Sequence, residues 1–237
     1  MGTNYIAPLH EDVERRSVLY RNRYGMDIAA DLYLRKDADL SHQDPALIAG
    51  APYGGVKEQG PCVYGSELAQ RGFVVLAFDQ SFMGQSGGWP RNLSSPDIFT
   101  ENFSAAVDYL GLQPFVDREK IGVVGICGSG GFALSAAQSD TRIKAVATSS
   151  MYDMSAAVRL GMDEDAVRQN KDRISRQRWA DAEQGVPEYN PYFPNHPLES
   201  VPAELEEPTA EWFRFYALER GFHPRPEGAL PPPATWP

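Results

Sequence analysis

Cys127 is the residue of this sequence best placed to do chemistry. It lies in the segment Ile121-Gly-Val-Val-Gly-Ile-Cys-Gly-Ser-Gly-Gly131, where an apolar run with β-branched residues leads into four glycines within seven residues. The run predicts a buried strand, and Phe132 to Ala137 predicts the start of a helix directly after it. Because glycine lacks the Cβ atom that would obstruct a sharp turn, the pattern predicts a nucleophile elbow with Cys127 at its apex.

A thiol at this position suits acyl transfer. The helix dipole and the free N–H groups of a helix N-terminus favour both a thiolate and the oxyanion of a tetrahedral intermediate. Ser129 is the competing nucleophile, but it lies in the first helical turn, where a serine more often caps the helix. The alternative interpretation of the glycines is a tight connection with a buried, inert cysteine.

The elements around Cys127 predict an α/β fold with a mostly parallel sheet. Strands that alternate with helices favour right-handed crossovers and a sheet covered by helices on both faces. The first two predicted strands form an antiparallel pair, and residues 116–120 are predicted to be a turn. The predicted strands are 16–22, 26–35, 46–50, 73–79, 121–125 and 143–150, and the predicted helices between them are 63–70, 99–110 and 132–137.

Two glycine-rich loops follow strands of this sheet. Residues 51–61 contain the adjacent glycines Gly54 and Gly55, which free backbone N–H groups to point at a ligand. Residues 80–90 form the second loop and follow the next strand along the chain. Ligands bind at the carboxyl edge of open parallel sheets, so the sequence predicts a small-molecule site at this edge.

The sequence changes character after residue 155. A long, highly charged helix is predicted at 164–183 as a solvated or lid-like element. The remainder is rich in proline, with one further predicted helix at 210–220 and a tail that can form neither a helix nor a central strand. We predict one domain overall, with a core at residues 1–155 and a helical, lid-like and proline-rich segment at 156–237 packed on it.

Composition argues against several classes of partner. The chain has 237 residues and a net charge of −10, whereas nucleic acids and anionic membranes require a basic surface. No signal peptide or membrane span is predicted, and the cytoplasm is the expected compartment. Cys62 and Cys127 are therefore expected to stay free thiols. The four histidines show no spacing typical of a metal site, and no cofactor is predicted.

Four motifs together carry a family resemblance over about residues 12–155. They are Asn22-Arg-Tyr-Gly25 before Ala30-Asp-Leu-Tyr-Leu34, Gly54-Gly-Val-Lys-Glu-Gln59, Phe78-Asp79 followed by Gly84-Gln-Ser-Gly-Gly88, and Gly125-Ile-Cys-Gly-Ser-Gly-Gly131. They resemble the dienelactone-hydrolase-like branch of the α/β-hydrolase superfamily, whose members also use cysteine as nucleophile. The resemblance implies a nucleophile at Cys127 and an oxyanion hole formed by the N–H of Gly128 and that of Tyr53 or Gly54.

The resemblance places the other two members of a catalytic triad less directly. In this superfamily an acid and then a histidine follow the nucleophile, after the seventh and eighth strands. This chain ends before a recognisable seventh strand, so we predict about six strands and a C-terminally shortened fold. Asp153, directly after the sixth strand, is the candidate acid. His223 is the candidate histidine and His196 is its rival, although each precedes a proline and a packing role is the alternative.

These features predict a hydrolase of ester, lactone or thioester bonds acting on a small-molecule acyl substrate. Acyl transfer to an alcohol or amine is the second hypothesis, because it uses the same chemistry. A weakly active or non-catalytic homologue is the third. The sixth strand is predicted to be an apolar edge, and exposed edges invite pairing. We therefore predict that the C-terminal segment covers it or that a second copy pairs with it as a homodimer.

Overall fold

The computed structural model of the protein describes residues 5–188, 198–207 and 209–223. The chain divides between Tyr152 and Asp153 into two compact units. The first unit contains the whole β-sheet, and the described part of the second contains helices and connecting segments. The predicted packing of residues 156–237 on the core stays a prediction.

A six-stranded sheet forms the centre of the first unit. Its strands are β1 (Val13–Arg21), β2 (Asp27–Arg35), β3 (Asp44–Gly50), β4 (Val74–Phe78), β5 (Val116–Ile126) and β6 (Ile143–Ser149). They lie in the order β1-β2-β4-β3-β5-β6. β1 and β2 are antiparallel to each other, β2 is antiparallel to β4, and the remaining pairs are parallel. The predicted mostly parallel sheet of about six strands is confirmed.

Among the described residues, three helices accompany this sheet and three belong to the second unit. They are α1 (Gly60–Gln70), α2 (Pro96–Gly111), α3 (Gly128–Ser139), α4 (Met154–Val158), α5 (Glu164–Gln184) and α6 (Thr209–Tyr216). α4 is short and was not among the predicted helices. None of the described helices is long and apolar enough to cross a membrane.

Both faces of the sheet are covered, as the buried strand β4 illustrates. All five of its residues are buried, and their side chains alternate between the two faces. Val75 and Ala77 pack in one cluster with Cys62 of α1. Phe78 points to the other face and meets Phe103 of α2 edge-on, with ring centroids 5.1 Å apart. Helices on both faces explain why β4 is apolar throughout.

β5 begins earlier than the sequence predicts. The predicted turn at residues 116–120 is wrong, because these residues form the first half of the strand. Val116 pairs with Asp44 of β3, and the register shifts before the next pair, Ala46 with Ile121. Residues 118–120 are exposed, so this part of the strand has the polar composition of a turn. Its strand conformation depends on pairing with a distant segment.

β6 is the last strand of the sheet and pairs with β5 alone among the strands of the described chain. Ile143 is its one buried residue, and the other six are partly or fully exposed. The sixth strand is therefore at an edge, as predicted. Its covering by the C-terminal segment or by a second copy stays a prediction.

Candidate active site

Cys127 is the single residue between β5 and α3. Its backbone adopts φ 53° and ψ −120°, and a non-glycine residue in so sparsely populated a region costs about 1–3 kcal/mol. Three backbone hydrogen bonds hold it there. Its N–H donates to the Ser149 carbonyl at 2.9 Å, and its carbonyl accepts from the N–H groups of Gly130 and Tyr152 at 3.0 Å each. The turn is thus fixed from both sides, and Cys127 as a residue is partly exposed.

Two glycines of the elbow are required by close packing. A Cβ atom on Gly125 would lie 2.6 Å from both the Cα of Gly130 and the carbonyl oxygen of Ser129. A Cβ atom on Gly130 would lie 2.7 Å from the Cγ of Met151. Backbone therefore meets backbone where β5 turns into α3, which gives a physical reason for the glycines on either side of the cysteine.

Ser129 occupies a different environment from Cys127. It is 1 % exposed. It packs against Gly50 at the end of β3, where an added Cβ atom would lie 2.9 Å from the Cβ of Ser129. The N-cap position of α3 belongs to Cys127, so the expectation that Ser129 caps this helix is wrong. Its burial favours a packing role for this serine.

The two thiols also differ. Cys127 is partly exposed at the elbow, whereas Cys62 is buried within α1. Burial raises the pKa of the Cys62 thiol above its usual value, because a thiolate is poorly solvated inside the protein. A buried protonated thiol is a weak nucleophile. Cys62 therefore serves as an internal control for the reactivity of Cys127.

The loop after β3, residues 51–59, lies beside the elbow. β3 and β5 are parallel neighbours, with Gly50 level with Gly125, so the segments that follow them emerge side by side. A Cβ atom on Gly60 would lie 3.5 Å from the Cδ1 of Ile126 and 3.8 Å from the Cδ of Pro52. Gly60, which directly follows the loop, therefore lies close both to Pro52 of the loop and to Ile126, the residue immediately before the elbow cysteine.

Tyr53 and Gly54 form the tip of this loop. The N–H of Gly55 donates to the Pro52 carbonyl at 2.8 Å, and Gly54 takes a φ of 74°, as glycine can in the third position of a tight turn. Among the hydrogen bonds of the described residues, none is donated by the N–H of Tyr53 or Gly54. The N–H of Gly128 is the first of α3 and has no intrahelical acceptor.

A buried ionic cluster lies in the same loop, and sequence reasoning missed it. Lys57, Glu58 and Asp79 are each at most 1 % exposed. The Lys57 ammonium contacts a carboxylate oxygen of Glu58 and lies 3.3 Å from Asp79 Oδ2. It also donates to Gln85 Oε1 at 2.8 Å. Lys57 and Glu58 are adjacent in one motif that carries the family resemblance, and Asp79 belongs to another. That all three lie in such motifs was the signal available in the sequence.

Asp79 joins two loops because its carboxylate accepts a backbone N–H from each of them. Its Oδ1 accepts the N–H of Lys57 at 2.7 Å, and its Oδ2 accepts the N–H of Gln85 at 2.8 Å. Burial favours the neutral form of Lys57, but the carboxylates of Asp79 and Glu58 outweigh it and raise the pKa of the ammonium. Lys57 is therefore charged at neutral pH. Burial raises the pKa of the Asp79 carboxyl against the opposing effect of Lys57.

The candidate acid and histidines belong to the second unit. Asp153 is exposed and caps α4, where its carboxylate accepts the N–H of Ser155 at 2.9 Å and of Ala156 at 3.0 Å. Hydrogen bonds from Ala156 and Ser155 hold the pKa of Asp153 below its usual value. His223 is half-buried, and His196 lies outside the described residues. A triad with Cys127 stays a prediction.

Within the parts of the chain that the structure describes, no three His, Cys, Asp or Glu residues are grouped so that they could hold a metal ion. The candidate site therefore consists of a thiol, backbone amides and the ionic cluster in the neighbouring loop.

Residues 98–196 match the family described as BAAT / Acyl-CoA thioester hydrolase C terminal. The uncharacterized protein PA2218 of Pseudomonas aeruginosa is 47 % identical over 222 residues, which are 92 % of this chain and 58 % of that protein. The crystal structure of PA2218 matches with a TM-score of 0.86 at 44 % identity, covering 94 % of this chain and 68 % of that chain.

Two further proteins extend the comparison. The thiohydrolase aneE of Aspergillus aculeatus is 33 % identical over 123 residues, which are 52 % of this chain and 37 % of that protein. The α/β hydrolase GrgF from Penicillium sp. sh18 matches in structure with a TM-score of 0.65 at 23 % identity, covering 76 % of this chain and 59 % of that chain. This chain spans about half the length of the curated relatives that it matches.

Proposed function

The chain belongs to the α/β-hydrolase superfamily, and from this premise we propose that it hydrolyses acyl bonds with Cys127 as nucleophile. The elbow is the observation that carries the proposal. A partly exposed thiol is held with positive φ between β5 and α3, and the loop with Tyr53 and Gly54 approaches from the neighbouring strand. Such an arrangement suits attack on a carbonyl carbon and stabilisation of the resulting oxyanion.

The proposed reaction has two steps. The Cys127 thiolate attacks the acyl carbonyl carbon, and the carbonyl electrons move to oxygen, where the N–H of Gly128 and that of Tyr53 or Gly54 donate hydrogen bonds. Collapse of this intermediate breaks the bond to the leaving alcohol or thiol, which takes up a proton, and leaves a thioester on Cys127. Water then adds to the thioester, gives up a proton and expels the thiolate, which releases the acid.

Among ester, lactone and thioester substrates, we propose thioesters first. The matching family is described as BAAT / Acyl-CoA thioester hydrolase C terminal, and aneE is named a thiohydrolase. Acyl transfer would replace water by an alcohol or amine in the second step. Product analysis with and without an added acceptor separates the two, since transfer yields a new ester or amide and hydrolysis yields the free acid.

Replacement of the thiol tests the nucleophile. Cys127→Ala should abolish turnover of a panel of small thioesters and activated esters, because no covalent intermediate can form. Cys62→Ala is the matched control, since that thiol is buried in α1, and its turnover should match the wild type. Unchanged turnover in Cys127→Ala would rule out the assignment.

We propose Asp153 as the catalytic acid and His223 as the base. The support is their order along the chain, since in this fold the acid and then the histidine follow the nucleophile. Asp153→Asn is a discriminating variant, because asparagine caps a helix about as well as aspartate but cannot stabilise a charged histidine. An orienting carboxylate should lose about 10⁴-fold in kcat, and His223→Gln should lose at least as much. Wild-type rates in both variants would leave the two residues with structural roles only.

Partner and compartment complete the proposal. We propose that the exposed side of β6 is covered by the C-terminal segment or by a second copy, because an exposed strand edge offers unpaired backbone groups. The solution mass at several concentrations distinguishes the two, and a monomer with exchanging β6 amides would contradict both. The two free cysteines support a reducing compartment such as the cytoplasm, which fractionation of cells that express the protein would test.

A further inference from the structure

We propose that Lys57 is a positioning residue, whose buried ammonium holds the loop after β3 so that the amides of Tyr53 and Gly54 face the oxyanion. This inference rests on the proposed function, because it assigns the loop a part in that reaction. Its first experimental readout nevertheless does not require turnover.

The ammonium of Lys57 has no capacity left for a substrate. A lysine ammonium has three N–H donors, and three acceptors surround this one: carboxylate oxygens of Glu58 and Asp79, and the amide oxygen of Gln85. The residue is 1 % exposed. Lys57 must therefore act through the protein rather than by contact with the reacting atoms.

Asp79 provides a rigid anchor for this lysine. Lys57 is bound to Asp79 twice, once by its backbone N–H and once by its side chain. Asp79 directly follows the buried strand β4, and its own N–H donates to the Ala29 carbonyl of β2 at 2.9 Å. Gly84 lies against the carboxylate so closely that no side chain fits there. The anchor therefore belongs to the core of the sheet.

The tether reaches the loop tip through a short, hydrogen-bonded path. Gly55 N–H closes the turn onto Pro52, the Val56 N–H donates to Gln59 Oε1 at 3.1 Å, and the Lys57 N–H donates to Asp79. Residues 55–59 are buried, whereas Tyr53 and Gly54 are partly exposed. The N–H groups of residues 55–57 thus donate hydrogen bonds within the protein and fix the loop. The N–H groups of Tyr53 and Gly54 at its tip can donate to a ligand.

A charge-matched double variant isolates the ammonium. The wild-type cluster has one positive and two negative groups, hence a formal charge of −1, and Lys57→Met with Glu58→Gln leaves Asp79 alone, also −1. The carboxylate of Asp79 still accepts the backbone N–H groups of residues 57 and 85, because the substitutions change side chains only. The matched control makes the same changes in an exposed ion pair, Lys144→Met with Glu119→Gln, whose charged atoms lie 3.0 Å apart.

Amide hydrogen exchange, measured by mass spectrometry, is the first readout. We expect the segment 52–59 to exchange about tenfold faster in the double variant, because the side-chain part of its tether to the core is lost while the backbone hydrogen bond to Asp79 remains. Peptides from residues 121–139 should exchange as in the wild type, and the control variant should alter exchange neither there nor at 52–59. Unaltered exchange at 52–59 would overturn the inference.

A pair of reactions at Cys127 is the second readout. Acylation by an ester forms an oxyanion, whereas alkylation by iodoacetamide forms a carbon–sulfur bond, expels iodide and forms none. We expect the double variant to lose about 10²-fold in acylation, typical of a misplacement of about 1 Å, with alkylation unchanged. Lys57→Arg, which keeps the positive charge, should recover part of the acylation rate. Equal losses in both reactions would indicate a disordered site and overturn the inference.

The two readouts separate the inference from the function on which it rests. If the wild type cleaves no ester or thioester, the proposed function fails, while faster exchange at 52–59 would still support Lys57 as the tether. If wild-type turnover is present and both readouts of the variant are normal, the inference alone fails. Should the double variant not fold, Gln85→Ala removes one of the three acceptors, and a smaller change in the same direction is expected from both measurements.

Discussion

Two strand-to-helix connections at the same edge of the sheet are built by different physical means. The elbow between β5 and α3 is one residue long and is held by backbone packing, with no room for a Cβ atom on Gly125. The connection between β3 and α1, residues 51–59, is longer and contains a buried ionic cluster around Lys57. The elbow is fixed by backbone packing that only glycine allows, and residues 51–59 are fixed by attraction between buried charged side chains.

The difference teaches how each part of the candidate site can fail. Close packing of backbone is indifferent to pH but tolerates no added atom. A buried ion pair tolerates changes elsewhere, but the loss of one partner leaves a charge without compensation inside the protein. The elbow should therefore be sensitive to volume and the loop after β3 to charge.

Removal of the ammonium alone should have the largest effect on stability. Lys57→Met leaves the carboxylates of Glu58 and Asp79 buried without their cation, which typically costs about 3–5 kcal/mol. Urea unfolding at pH 7 measures this cost, and the charge-matched double variant should lose less. Pairing raises the pKa of Lys57, so its contribution is complete below the unfolded value of about 10.4 and is lost as pH rises through the folded value. A cost that is unchanged at high pH would contradict an ionic origin.

An added methyl group tests the elbow. Gly125→Ala should destabilise the protein by about 1–3 kcal/mol, because the new Cβ atom would lie 2.6 Å from backbone atoms of residues 129 and 130. This loss should not vary between pH 6 and pH 9. Gly111→Ala is the control, since a Cβ atom there meets only the flexible Arg118 side chain, at 3.8 Å or more. Equal stability of the two variants would show that the elbow has room to adjust.

The smallest effect is expected at the tip of the loop after β3. Gly54 has a φ of 74°, and alanine in this region costs about 1–2 kcal/mol. We expect the rate of ester acylation in Gly54→Ala to fall by more than the loss in free energy of unfolding would explain. Iodoacetamide should still alkylate Cys127 at the wild-type rate. A variant that loses stability but keeps full acylation would show that the loop tip has no part in holding the oxyanion.

The sequence predicts the elbow well because its determinants are local. A strand, a glycine cluster and a helix follow one another within residues 121–137, and the structure places Cys127 between β5 and α3. The order of strands and helices in the first unit and the α/β-hydrolase fold were likewise predictable, since periodicity and four short motifs encode them.

Other features depend on contacts between distant segments and could not be predicted. Residues 116–120 have the composition of a turn, yet pairing with β3 makes them a strand. The cluster of Lys57 and Asp79 joins residues 22 positions apart, and charged residues are expected at the surface unless a partner is known. In the second unit the sequence predicts the helices that appear as α5 and α6, but Asp153 and His223 are supported as catalytic residues by sequence order alone.

The hydrogen bonds of Cys127 tie the proposed nucleophile to the edge of the sheet. Its N–H binds Ser149 at the end of β6, and its carbonyl binds Tyr152 just beyond that strand. Edge strands open locally before a core does, so fraying of β6 would release the elbow while the remaining strands stay paired. Heat should therefore inactivate the protein before it unfolds, with loss of ester cleavage several degrees below the loss of the circular dichroism signal. Loss of the proposed activity on heating would then begin at this edge strand rather than in the core.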